Sequence, residues 1–291
     1  MLGLARIPIA LLGMVPLRFL HAMAIPLGWL LCFLPWKKHR VIRTNLRLCF
    51  PDLDKQRLNS LHRQHLVELL RLTFEAGVMW CWTRERLNRH IILDESWESV
   101  AAASESDKGL LFVGGHVGNW EVLNLFLSTR LPMVTLYRAP ENRNLDAFIT
   151  GPRERFGGRM VPSGGPALRH LLTQLKSGKA AGIAADIQPK RGEGVFVDLF
   201  NTPALTMTLV NRLARKTGCS VIFTWAERLP RGAGWKLHFS PADERITDPD
   251  PAIALAGMNR WLEQAIAQAP AQYLWIYKRF SRRPEGEEKL Y

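Results

Sequence analysis

Residues 114–121 read Gly-Gly-His-Val-Gly-Asn-Trp-Glu. A histidine with a carboxylate five positions on, in a glycine-rich turn, is the raw material of general base catalysis. If the turn folds back, Glu121 accepts a hydrogen bond from one ring nitrogen of His116. That bond fixes the tautomer and leaves the other nitrogen to take a proton from a substrate hydroxyl. The carboxylate also stabilises the imidazolium that forms, as the aspartate of a serine-protease triad does. Glycines at 114, 115 and 118 allow a tight turn and leave space beside the imidazole. The competing reading is a satisfied structural histidine, because this spacing also arises by chance. Asn119 and Trp120 read as turn and packing residues.

Other chemistries lack their patterns. Gly114–Gly118 is not the dinucleotide fingerprint, and the chain has no nucleophile elbow and no P-loop. His62 and His65 read as partly buried polar residues, and no metal or other cofactor is expected. The four cysteines, at 32, 49, 81 and 219, form no CxxC pair. That excludes a disulfide scaffold and a cysteine-based zinc module, and leaves reduced thiols facing a cytoplasm. Lys plus Arg number 39 against 26 Asp plus Glu, a net charge of +13, so the surface prefers polyanions. No RNA-binding, zinc-finger or basic-zipper pattern accompanies that charge, which argues against nucleic acid as the partner.

The elements that must position His116 follow from periodicity. Gly109–Val113 is a short apolar run, typical of a buried strand, and it places His116 at a strand's carboxyl end, where open α/β sheets bind ligands. Strands are also expected over 132–137, 180–185, 219–225 and 235–240. Helices are expected over 54–82, 119–128, 166–176 and 206–216, with another opened by the Asp250–Pro251 cap pair. This alternation predicts an α/β fold with a mixed, largely parallel central sheet flanked by helices.

The N-terminus breaks the pattern. Residues 19–36 hold no Asp, Glu, Lys or Arg, and Lys37, Lys38, Arg40 and Arg43 follow closely. An apolar stretch at the lower edge of bilayer length, followed by basic residues, predicts an N-terminal hydrophobic membrane helix with its basic end on the cytoplasmic side. Pro26 and Pro35 argue against a straight helix, and no A-x-A-like site suggests a cleaved signal. The domain reading is therefore residues 1–40 as a membrane anchor or embedded segment and 41–291 as one globular domain.

Several blocks carry a specific resemblance. LLFVGGHVGNWEVLNL resembles the first motif of the bacterial lipid A late acyltransferases, within the lysophospholipid acyltransferase superfamily and its HX4(D/E) box. HRVIRTNLRLCFPDLDKQR, VTLYRAPENRNLDAFITGPRERFGGRMVP, GIAADIQPKRGEGVFVDLFNTPALT and PAQYLWIYKRFSRRPEGE resemble further blocks of that family, in the same order. Two departures stand out. Ile187 separates Asp186 from Gln188, and Leu199-Phe200-Asn201 replaces the family's Phe-Phe-Gly.

The resemblance implies an enzyme that moves an acyl chain from a thioester, with acyl carrier protein as donor, to a hydroxyl of an anionic lipid A precursor. It would act at the cytoplasmic face of the inner membrane. It implies His116 as general base and Glu121 as its orienting carboxylate. Arg153 and Arg155 fall on the family's Arg-x-Arg block and would hold phosphate groups. Arg138 and Asp186, each just after a predicted strand, are further substrate-binding candidates, with turn or capping roles as the alternative. A sister enzyme acting on a glycerophospholipid or glycolipid would share His116 and Glu121. A non-catalytic basic protein binding membrane or nucleic acid would need neither.

Overall fold

The computed structural model describes residues 2–291, with side-chain surroundings from residue 7 onward. Helices α1 (Leu2–Met14) and α2 (Leu17–Leu31) open the chain. Pro16 caps α2 with extended geometry, and the axes of Ile7–Met14 and Leu17–Leu31 meet at 115°. Proline disfavours helix in the residue before it and donates no N–H, so the break falls where the sequence puts it. The 15 residues of α2 reach only about 22 Å, short of the ~30 Å hydrocarbon layer. Among the described residues no single helix is long and apolar enough to cross a membrane.

Helix α2 instead lies along the surface. Leu17, Leu20, His21, Ala24 and Gly28 are buried. Gly28 meets the next long helix so closely that a Cβ would sit 2.8 Å from the Cα of Val67. The indole of Trp82 donates to the Gly13 carbonyl (3.0 Å), satisfying an end group of α1. The opposite face of α2 leaves Phe19, Met23, Trp29 and Leu30 exposed.

Helix α3 (Lys38–Cys49) leads to α4 (Lys55–Cys81), which Asp54 caps by accepting from the Arg57 N–H. Next come α5 (Arg84–Asn88), β1 (Ile91–Leu93), α6 (Ser96–Ser104), β2 (Leu110–Gly118) and α7 (Trp120–Ser128). Then follow β3 (Met133–Tyr137), α8 (Arg143–Glu154), β4 (Arg159–Pro162), α9 (Gly165–Lys176) and β5 (Ala180–Ala184). The chain continues through β6 (Gly194–Leu199), β7 (Thr202–Met207), α10 (Leu209–Thr217), β8 (Ser220–Arg228), β9 (Trp235–Pro241) and α11 (Pro251–Gln268).

Seven strands form one sheet in the order β1-β9-β8-β2-β5-β3-β4. All neighbours are parallel except β8 and β9, so the sheet is mixed and largely parallel, as expected. Its two faces are read off β2. Leu110 and Phe112 enter a core shared with α2, α4 and α7, while Leu111 and Val113 enter one shared with α9, α10 and α11. Alternate residues of one strand thus feed two layers, which explains why that run is apolar throughout.

The sequence reading had not placed β1, β4, β6 or α8, and it began one helix too early. Residues 202–207 form a strand, and α10 starts only at Leu209. β6 and β7 make an antiparallel hairpin apart from the main sheet. Its two-residue turn holds Phe200 and Asn201 at φ 51° and 54°, the geometry of a type I′ turn. Asparagine tolerates that region better than other side-chain-bearing residues, which suits Asn201 to this turn.

Gly118 is the tightest glycine of the sheet. Its φ is +64°, and a Cβ there would lie 1.8 Å from the Ala226 carbonyl oxygen. Gly118→Ala is therefore expected to cost about 2 kcal/mol or more, read as a fall in thermal midpoint of the detergent-solubilised protein. Gly151, inside α8 with nothing within 4 Å of its Cβ position, is the contrast. Gly151→Ala is expected to gain about 0.5–1 kcal/mol. Equal, small shifts for both would contradict this account of the β2–β8 contact.

Candidate active site

The site begins where β2 leaves its neighbour. Gly114 pairs with Thr224 of β8, and the next pairing is Gly118 with Ala226, so four residue steps on β2 pass two on β8. The surplus lifts residues 115–117 off the strand, the behaviour of a β-bulge beside a functional site. His116 thus stands within the bulged end of β2, one element earlier than the turn expected from sequence. The freed edge does not go unpaired. Val117 bridges to Tyr273, and the Leu274 N–H donates to the His116 carbonyl at 3.0 Å. The chain after α11 therefore runs as a strap past the histidine.

Asp186, the second residue after β5, reaches His116 twice. Its Oδ1 lies 2.8 Å from Nδ1, and its Oδ2 accepts the His116 backbone N–H at 2.8 Å. The carboxylate is only 3% exposed, the imidazole 17%. An ionised carboxylate can only accept, so Nδ1 carries the proton, and in the neutral ring Nε2 is a bare acceptor. Burial disfavours the imidazolium, but the charge of Asp186 and its hydrogen bond outweigh this, with a lesser contribution from Glu121. The net effect raises the His116 pKa above 6.5. Burial likewise opposes the Asp186 charge, and His116 more than offsets it, so the Asp186 pKa lies below its usual value. Trp120 packs edge-on against the imidazole, ring centres 4.5 Å apart.

This arrangement corrects the expected pairing. Glu121 does not bond to His116. It sits in the first turn of α7 and is gripped by Arg153, whose Nε lies 3.0 and 2.8 Å from its two carboxylate oxygens and whose Nη2 also donates. Asn119 explains the direction. Its side chain caps α7 through the N–H groups of Glu121 and Val122, which starts the helix at Trp120 and turns Glu121 towards α8. The Nδ1 edge of the imidazole faces the end of β5 instead. Asp186 was expected to hold substrate; it is the histidine's partner.

The arginines separate. Arg153 pairs with Glu121, and the charges of both act on His116. Arg155 donates to the Trp82 carbonyl at the end of α4 and lies 4.2 Å over Phe156. Burial lowers its pKa. Arg138 is exposed just beyond β3. Sequence reasoning missed the strap. Asn45 of α3 donates to the carbonyls of Trp275 (2.7 Å) and Tyr277 (2.8 Å). Gln188 accepts from Ser281, and its N–H donates to the Tyr277 hydroxyl. Asp186 and Gln188 thus both point to work near the site, one at the histidine and one at the strap, with Ile187 between them. No sequence spacing signals these contacts, since the partners lie about 90 to 230 residues apart.

The two other histidines of interest are neutral. Burial lowers the pKa of both His62 and His65 to about 4. His62 bonds His39, and His65 bonds the Ala271 carbonyl. Among the described residues no group of three or more His, Cys, Asp or Glu is placed to hold a metal.

The family model described as "Bacterial lipid A biosynthesis acyltransferase" matches residues 3–282. The chain is 30% identical over 276 residues to the lipid A biosynthesis palmitoleoyltransferase of Escherichia coli, covering 90% of this chain and 88% of that one. It is 27% identical to the lauroyltransferase of the same organism, over 95% of this chain and 90% of that one. It is 22% identical to the myristoyltransferase, over 96% and 86%. With a bulge-mounted histidine, a buried carboxylate behind it and a match over nearly the whole length, the chain belongs to the bacterial lipid A biosynthesis acyltransferase family.

Proposed function

We propose that this protein transfers a fatty acyl chain from an acyl thioester to a hydroxyl of a lipid A precursor, with His116 as general base. The observation that carries the reading is His116 itself: Nδ1 committed to a buried carboxylate and a partly exposed ring whose Nε2 is free to accept. In the proposed step the acceptor hydroxyl gives its proton to Nε2, and its oxygen attacks the thioester carbonyl. The C–O bond forms, the C–S bond breaks, and the imidazolium returns the proton to the departing thiolate. No acyl-enzyme is needed. Asp186 stabilises the imidazolium midway, in the role expected of Glu121.

We assign Glu121 and Arg153 to substrate: the charges of both act on His116, and the Arg153 fork can exchange a carboxylate partner for a phosphate. Arg155 and Arg138 are assigned more distant anionic contacts. The donor is proposed to be acyl carrier protein, an acidic partner for a chain of charge +13. The membrane reading rests on surface chemistry. Phe19, Trp29, Leu30 and Phe33 are exposed, Phe33 by 83%. Lys37, Arg40, Arg43 and Arg47 are exposed just after them. Apolar side chains followed by cations suit the cytoplasmic face of an anionic membrane. Residues 1–40 are thus proposed to seat the enzyme on or in the bilayer and residues 41–291 to carry the chemistry.

The direct test supplies purified protein with lauroyl, myristoyl and palmitoleoyl thioesters of acyl carrier protein. A lipid A precursor serves as acceptor, with lysophosphatidate as its rival. Transfer to the lipid A precursor is expected, reduced about 10²–10⁴-fold in His116→Ala. Transfer only to lysophosphatidate, or turnover indifferent to His116, would refute the reading.

The pH profile tests the carboxylate assignment. The base must be neutral to work, and its pKa is raised. The kcat/KM is therefore expected to climb with pH through a value above 6.5, the ordinary histidine pKa. Asp186→Asn removes the charge that raises it. The rising limb should then move to lower pH while the plateau falls by about 10²-fold or more. Glu121→Gln should move the limb less, being the lesser contributor. A limb that follows Glu121 and ignores Asp186 would restore the pairing expected from sequence.

A further inference from the structure

A second buried carboxylate, outside the chemistry, is built into the same turn. Glu75 of α4 is fully buried. Its Oε1 accepts from His21 Nε2 (2.7 Å) and Arg228 Nε (2.6 Å). Its Oε2 accepts from Arg228 Nη2 (2.7 Å) and Asn119 Nδ2 (2.7 Å). Burial opposes the charge, but the Arg228 guanidinium outweighs it, with the His21 bond assisting, and holds Glu75 at about 2. Arg228 is itself 3% exposed and also bonds Glu68 at 2.8 Å.

The contact with Asn119 matters most. A side-chain amide has one donor end and one acceptor end. In Asn119 the donor end is taken by Glu75, and the acceptor end by the N–H groups of Glu121 and Val122, both at 3.1 Å. Glu75 thereby decides which way the amide faces, and so where α7 begins. The start of α7 places Trp120 against His116 and Glu121 against Arg153. The same carboxylate receives His21, from the helix whose outer face is apolar and exposed.

We propose that Glu75 is a positioning residue for the active turn, acting through the Asn119 amide and anchored from α2 by His21. This rests on the acyl-transfer reading only for its effect on rate. The geometric claim stands on the hydrogen bonds alone.

The test exchanges donor and acceptor. Asn119→Asp keeps a good helix cap but sets a carboxylate against Glu75. Glu75→Gln leaves Asn119 and Arg228 competing for one acceptor oxygen. The double variant Glu75→Gln/Asn119→Asp restores one donor facing one acceptor, with unchanged total charge. Each single variant is expected to lose up to about 10²-fold in kcat per folded molecule with a smaller change in KM, and the double variant to recover about tenfold of it. A second readout needs no turnover. Trp120 lies 4.5 Å from the imidazole, so NMR signals of isotope-labelled His116 report the turn. They should shift in each single variant and return towards wild type in the double. Unchanged kcat and His116 signals in folded single variants would overturn the proposal. So would a folded double variant with neither recovered. If a single variant fails to fold, the double variant decides alone. Wild-type protein without acyl transfer but with the expected NMR pattern would sink the functional reading and leave the positioning role standing.

Discussion

Everything at the site depends on β2 breaking its pairing with β8 after Gly114. A strand held in register would point His116 at one face of a covered sheet, where two layers of helices exclude substrate. The bulge lifts it out, and Gly118 returns the chain to register against Ala226. A bulge leaves backbone groups without partners, which is costly near a buried core. The strap after α11 supplies them, through Leu274 and Tyr273. The strap is held in turn by Asn45 of α3 and by Gln188 in the loop after β5. One local departure therefore recruits the N-terminal helices, the loop after β5 and the C-terminus to a single place.

Two buried carboxylates flank that place, and their surroundings give them different work. Removing an ion from water costs several kcal/mol, so each needs compensation. Asp186 has a titratable partner, His116, and one backbone N–H. Its partner can gain and lose charge, which is what a proton-transfer step demands. Glu75 has Arg228, which stays charged at any accessible pH, together with His21 and Asn119. Its charge is fixed and serves geometry. Glu121, one-fifth exposed and gripped by a partly exposed arginine, is neither. Its pairing can be traded for another anion at lower cost than either buried one.

How far this was legible from sequence follows the range of each interaction. The βα alternation and the apolar run at Gly109–Val113 are local, and they placed His116 at a strand's end. Asp250 announced the start of α11 through capping chemistry, which spans only two residues. The partner of His116 lies 70 positions away, and spacing favoured the nearer carboxylate, Glu121. Only the Asn119 cap, which aims α7, separates the two. The β6–β7 hairpin went unread; β7 carries Pro203, a residue tolerated only at strand edges and so a poor strand signal. The strap carries no periodic signal, since its contacts run through carbonyls and single side chains. The resemblance flagged it as a block without saying what it held.

The N-terminal helices show composition and structure answering different questions. Residues 19–36 are apolar enough to suggest a membrane, yet Pro16 bends the chain and α2 ends at Leu31. One face of α2 is already spent: Gly28 closes on Val67, and His21 delivers a ring nitrogen to Glu75. A helix packed on one side against the protein's core cannot be surrounded by lipid. Its outer face can still meet lipid, and Trp29 and Phe33 stand there with cations just beyond. That division suits the proposed seating of residues 1–40 on or in the bilayer. It also gives the buried histidine its significance. His21 is the polar residue of an apolar segment, and it joins α2, whose outer face is exposed, to the carboxylate that orients the active turn.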